Sequence, residues 1–138
     1  MSNIIVDASI ILQMFDEAEA GKKAWKFFDQ IQKGHIVASA PSFLLIEVLN
    51  VLLKKKKIPT KKVKEFIELL GKSGINFIDF SFRSIGALSE VAIRERITVY
   101  DALYVSLARG LEQRLITNDK ELLMIPNISV SLDEFITI

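Results

Sequence analysis

The run Ile4-Ile5-Val6 is three consecutive branched apolar residues, stopped by Asp7. A strand wet on one face alternates apolar and polar residues. An unbroken run this short needs cover on both faces, which a parallel sheet flanked by helices supplies. The same theme recurs along the chain. Short apolar runs lie at Ile36 to Ala38, Phe77 to Phe80, Leu115 to Thr117 and Ile128 to Leu132. Segments with helical spacing lie between them: Ala18 to Lys33, Ser42 to Lys56, Thr60 to Leu70, Phe82 to Arg94 and Thr98 to Gly110, with a short helix at Asp119 to Leu123. Strands alternating with helices predict an α/β fold around a parallel sheet. A chain of 138 residues that is half apolar is long enough to form one such domain, residues 1–138.

Composition excludes several functions. There is no cysteine, so disulfide frameworks and thiolate metal sites are ruled out and a reducing cytoplasm is the expected compartment. The N-terminus has no basic segment or cleavage site, so no signal peptide is expected. The most apolar window, Phe43 to Leu53, is too short to span a bilayer. The six glycines are scattered and form no phosphate-binding loop. A Ser/His/Asp mechanism would depend on His35 alone, whose place between Gly34 and a strand reads as a turn. The net charge of +1 does not announce a nucleic-acid binder, although Lys54-Lys55-Lys56-Lys57 forms a basic run.

Four carboxylates stand where regular segments begin, end or are interrupted. Asp7 follows the first strand, Glu47 interrupts an apolar helix, Asp101 opens a helix and Asp119 follows the fourth strand. Each has a structural reading. Asp7 suits a turn or cap. Glu47 can pair with a lysine of its own helix, such as Lys54. Asp101 lies three residues beyond Thr98, as in a capping box. Asp119 can cap the short helix that follows. Ser9 can cap a segment or orient a bound water, and Trp25, Tyr100 and Tyr104 suit packing. Gathered together, the acids would repel: two unit charges about 4 Å apart cost roughly 4 kcal/mol at an effective dielectric near 20. Divalent cations relieve such a cluster. Asp7 and Asp119 fall at the carboxyl ends of expected strands, where open α/β sheets bind ligands.

Four pieces of the chain together resemble the PIN domain and, within it, the toxin ribonucleases called VapC. They are Ile-Val-Asp-Ala-Ser (residues 5–9), Phe-Leu-Leu-Ile-Glu-Val-Leu-Asn-Val-Leu (43–52), Tyr-Asp-Ala-Leu-Tyr-Val-Ser-Leu-Ala (100–108) and Leu-Ile-Thr-Asn-Asp-Lys-Glu-Leu (115–122). They occur in the family's order and span almost the whole chain. The resemblance implies a three-layer α/β/α sandwich with strand order 3-2-1-4-5. It implies an endoribonuclease that uses Mg²⁺ or Mn²⁺ and leaves 5′-phosphate and 3′-hydroxyl ends. Asp7, Glu47, Asp101 and Asp119 match the family's acids in order, as catalytic and metal-holding residues, with Thr117 and Asn118 beside the last.

The resemblance also implies an antitoxin that places Arg or Lys among the acids, and a homodimer. The helix from Ser42 to Lys56 is the expected dimer surface, through Leu44, Leu45, Val48, Leu49, Val51, Leu52 and Leu53. The lysines near 54–57, Lys54 first among them, and Arg94 and Arg96 are the candidates for RNA backbone contacts. The alternatives are a non-toxin RNA-processing nuclease of the same fold and an inactive RNA- or protein-binding module. A phosphoacceptor receiver domain is more distant, because it expects paired acids after the first strand.

Overall fold

The computed structural model describes residues 2–137. Its centre is β1 (Ser2–Val6), the middle strand of a five-stranded sheet in the order β3-β2-β1-β4-β5. β2 (Ile36–Pro41) and β4 (Arg114–Ile116) flank β1, and β3 (Asn76–Ile78) and β5 (Ser129–Val130) form the edges. All pairs are parallel, as expected from the sequence. Ile4, Ile5 and Val6 are all buried, which is the two-sided cover that their run demanded.

The helices are α1 (Ala8–Gln13), α2 (Ala18–Gln32), α3 (Phe43–Lys54), α4 (Thr60–Gly71), α5 (Phe82–Glu95), α6 (Val99–Leu111), α7 (Lys120–Leu123) and α8 (Leu132–Thr137). α6 runs against β1, β2 and β4, and α5 packs on α6. Its residues Tyr104, Val105, Leu107 and Ala108 enter the main core with Ile4, Ile5, Leu115 and Ile116. α1 packs on α2 and α3, and α3 on α4. The order reverses at β1, which has β2 on one side and β4 on the other, so the carboxyl ends of β1 and β4 border the switch point.

Two helices were not expected from the sequence. α1 has only six residues and contains Ile10 and Ile11, whose branching disfavours helix. Burial of Ala8, Ile10 and Ile11 holds it in place instead. α8 is equally short and was hidden by the apolar run before it. The expected last strand, Ile128 to Leu132, contracts to Ser129–Val130 because Leu132 starts that helix.

The apolar stripe of α3 is largely covered within the chain. Leu44, Val48 and Leu52 are buried, and Leu45, Leu49, Val51 and Leu53 are half-buried. The expectation that these residues form a free dimer face is therefore corrected: α1 and α4 pack on this helix. On α3 the exposed large apolar residue is Ile46. Others lie on α5 and at the start of α6, including Phe82 at 83% exposure and Tyr100 at 58%.

The turn from α1 into α2 rests on Gly21. A Cβ at this position would stand 2.0 Å from the Asp16 carbonyl oxygen, a backbone atom that cannot rotate away. Alanine gains about 1 kcal/mol over glycine in a helix interior, but overpacking costs about 1–3 kcal/mol. Gly21→Ala is therefore expected to destabilise the fold. A urea midpoint equal to or above that of the parent would refute this.

Candidate active site

Asp7 closes β1 and is only 5% exposed. It occupies the N-cap position of α1, yet its side chain makes no capping bond there. Its Oδ2 instead accepts hydrogen bonds from Ser9 Oγ at 2.7 Å and Thr117 Oγ1 at 2.8 Å. Both hydroxyls are themselves oriented by the backbone. Asn118 N–H donates to Ser9 Oγ at 3.0 Å, and Asp119 N–H donates to Thr117 Oγ1 at 3.0 Å. Two backbone amides thus fix two hydroxyls, which aim their protons at one carboxylate oxygen. Burial nevertheless pushes the Asp7 carboxyl above its ordinary range, against the two hydroxyl bonds.

Asp119 does cap α7, and its Oδ1 accepts from Glu121 N–H at 2.9 Å and Leu122 N–H at 3.1 Å. Asp101 lies in the first turn of α6, where its N–H donates to Thr98 Oγ1 at 3.1 Å. Asp119 therefore caps its own helix, at α6 the capping side chain is Thr98, and the other carboxylates act on Asp101. Asn118 braces the loop from the far side. Its side-chain amide donates to Gln13 Oε1, and its Oδ1 accepts from Leu132 N–H at 3.3 Å.

Glu47 takes a tyrosine as its partner. Tyr104 OH donates to its Oε1 at 2.6 Å, joining α3 to α6. The lysine pairing left open by the sequence is not formed, and Lys54 is exposed at the helix end. Tyr104 is fully buried, and burial raises its hydroxyl, followed by the charges of Asp7 and Glu47. The sequence reading assigned it to packing. The available signal was its place three residues after Asp101, on the same helical face.

The electrostatics gather the acids into one neighbourhood. Burial pushes Glu47 up to about 7, with Asp7, Asp101 and Asp119 acting in the same direction against the Tyr104 bond. Burial likewise pushes Asp101 up to about 6, reinforced by Asp119, Asp7 and Glu121. Glu121 is a fifth acid overlooked in the sequence, although it stands two residues after Asp119. Among the described residues, no group of three or more acidic, histidine or cysteine side chains is arranged to hold a metal ion by itself. The donor chemistry still fits a hard divalent cation: all the donors are oxygens, and Mg²⁺ commonly takes one or two carboxylates and completes its shell with water.

The expected RNA contacts scatter. Lys54 is exposed, Arg94 stands 3.9 Å from its neighbour Glu95, and Arg96 occupies the left-handed cap of α5 at φ 57°. Of the lysines at 54–57, Lys55 and Lys56 line a cleft together with Ser9 and Asn118.

The PIN domain family model matches residues 4–127, so the chain belongs to the PIN domain family. Among curated proteins it is similar to Ribonuclease VapC3 of Pyrobaculum aerophilum, at 28% identity over 123 residues covering 86% of this chain and 91% of that one. Among solved structures it resembles PAE2754 from the same organism (TM-score 0.72, 19% identity, 99% of this chain and 93% of that one). It also resembles a toxin-antitoxin complex from Klebsiella pneumoniae (TM-score 0.66, 17% identity, 94% and 97%). A third is VapBC2 from Rickettsia felis bound to a promoter DNA fragment (TM-score 0.64, 19% identity, 94% and 98%). These structures share the fold described above.

The raised acids fix the sign of a pH effect. Glu47 and Asp101 keep protons in the folded chain that the unfolded chain releases near pH 4. Their contribution to stability is present below that pH and is lost as pH rises through about 6 and 7. In excess chelator, Tm should therefore fall between pH 5 and pH 8, and Glu47→Gln should reduce the fall. An equal fall in the variant would show that Glu47 is not a titrating group.

Proposed function

We propose that this chain is a divalent-metal-dependent endoribonuclease and the toxin of a toxin–antitoxin pair. The main support is the buried Asp7, anchored by Ser9 and Thr117 at the switch point of a PIN fold, with Glu47 and Asp101 pushed up by burial and by the neighbouring carboxylates. Similarity to Ribonuclease VapC3 points to the same chemistry, and two of the structural neighbours are toxin-antitoxin assemblies.

In this reading Asp7, Glu47, Asp101 and Asp119 hold Mg²⁺ or Mn²⁺. When bound, the ion activates water and stabilises charge on the phosphate and leaving oxygen. Ser9 and Thr117 hold Asp7 Oδ2 in place, and Asn118 ties their loop to α1. Tyr104 donates to Glu47, which presents that carboxylate in one orientation. Such supporting bonds around metal ligands are worth about 10–100-fold in affinity or activity.

The test is cleavage of a mixed single-stranded RNA pool with Mg²⁺ or Mn²⁺. Chelator and Asp7→Asn should each abolish cleavage, while Asp7→Asn keeps or raises Tm because a buried charge is removed. Thr117→Val should lower activity by about 10–100-fold. Mg²⁺ should raise Tm more at pH 8 than at pH 5, since protons no longer compete for Glu47 and Asp101 at the higher pH. Cleavage that survives in chelator would sink the metal mechanism.

The partners follow from the same surface chemistry. An acidic site calls for an inhibitor that presents arginine, whose planar fork binds carboxylates bidentately. The substrate and such an inhibitor are both cytoplasmic, and no described helix is long and apolar enough to cross a membrane. A homodimer is proposed through the exposed Phe82, Ile85, Val99 and Tyr100 of α5 and α6, since an apolar patch of this kind marks a partner surface. Ile85→Glu should then halve the mass seen by light scattering, whereas a parent that is already monomeric refutes the dimer. If a co-expressed candidate antitoxin neither co-purifies nor suppresses cleavage, a stand-alone RNA-processing nuclease is the better reading.

A further inference from the structure

A cleft of about 490 Å³ lies beside the acids, between α1 and α3. Ser9 and Asn118 belong both to this cleft and to the hydrogen-bond network around Asp7, so the cleft is continuous with the site. The cleft runs along α1 from Ser9 to the turn that follows the helix at Asp16. There Lys56 meets Asp16 at 3.6 Å, and Lys55 lines the same cleft. Among the described residues, Lys55 makes no ion pair. Leu12 and Val51 complete the walls.

The charge around this cleft is lopsided. Residues 54–64 hold seven lysines and no acid, whereas the chain as a whole carries only +1. The dipole at the end of α3 favours a cation in its last turn, which accounts for Lys54 but not for lysines that line a cleft leading to an acid cluster. A strand of RNA arriving at carboxylates is repelled by them. Lysines immediately outside the cluster supply the attraction that the site lacks. The remaining lining sets the hydroxyl and amide groups of Ser9, Gln13 and Asn118, which suit ribose and phosphate, between the apolar Leu12 and Val51, with the Asp16 carboxylate held against Lys56. A peptide helix would need a longer apolar groove than Leu12 and Val51 provide.

We propose that Lys55 and Lys56 hold two adjacent backbone phosphates of single-stranded RNA next to the scissile bond. The strand passes from the acids through the α1–α3 cleft onto the lysine-rich segment 54–64. This rests on the ribonuclease reading above and specifies how that site holds its substrate.

The test uses Asp7→Asn protein, which should bind without cutting, and a labelled RNA oligonucleotide followed by anisotropy across a salt series. Each lysine–phosphate contact on a single strand contributes about 0.7 to the slope of log affinity against log salt. Adding Lys55→Ala/Lys56→Ala should flatten that slope by about 1.4 and weaken binding whatever the sequence. Lys23→Ala/Lys26→Ala, a charge-matched control on α2, should leave it unchanged. In otherwise parental protein, the Lys55/Lys56 double variant should raise KM with kcat and Tm unchanged, because the contact binds ground and transition states alike. A parent that cleaves RNA while the double variant keeps the parental KM and salt slope overturns the proposal but not the ribonuclease reading. A double variant that binds RNA normally but loses a co-purifying protein inhibitor makes the cleft a protein-docking surface, and the proposal is again overturned. A parent that neither binds nor cleaves RNA ends the ribonuclease reading itself, and this proposal with it.

Discussion

The carboxylate of Asp7 sits where β1 ends, nearly without solvent, and everything around it is organised to make that tolerable. A buried acid needs hydrogen-bond donors. Here they come from Ser9, two residues on, and Thr117, 110 residues away at the end of β4. The same contacts that satisfy the acid therefore lock together the carboxyl ends of the two strands at the sheet's switch point. Because backbone amides of the β4 loop orient both hydroxyls, the loop cannot move without disturbing Asp7. Asn118 extends the same bracing to Gln13 of α1 and Leu132 of α8.

Around this anchor, the remaining acids arrive on separate elements. Glu47 comes from α3, Asp101 from α6 and Asp119 from the start of α7. Tyr104 joins two of these elements by reaching from α6 to Glu47. Its ring adds to the core while its hydroxyl serves the acid, so one residue contributes to both packing and the site. Burial, reinforced by neighbouring carboxylates, pushes Glu47 up to about 7 and Asp101 up to about 6. Such strain is characteristic of functional sites, where stability is given up for poised chemistry. A cation would relieve it, and so would a guanidinium from a bound partner.

Much of this was readable from the residues alone. The run Ile4-Ile5-Val6 and its successors, alternating with helical segments, implied a parallel sheet, because the intervening helices cover both faces of such unbroken strands. Placement at strand ends marked Asp7 and Asp119. Caps were also legible: Thr98 accepts from Asp101 N–H, as the spacing predicted. Three-residue spacing on a helix is a local property, so it survives translation from sequence to structure. α1 was not legible, because six residues do not display a period and Ile10 and Ile11 argue against helix. The apolar circumference of α3 was misread as surplus, because sequence cannot show that α1 and α4 lie against it.

The sequence by itself determined the alternation of elements, the types of the acidic residues and their positions at element boundaries. These follow from periodicity and from short-range chemistry. Only the tertiary structure decided who meets whom. It gave Asp7 a threonine from the opposite end of the chain, and gave Glu47 a tyrosine instead of a lysine of its own helix. It placed Lys55 and Lys56 in the cleft that Ser9 also lines. Long-range partners depend on how strands order in the sheet and how helices pack across it. That geometry is set by burying the whole core at once, and no local segment carries it.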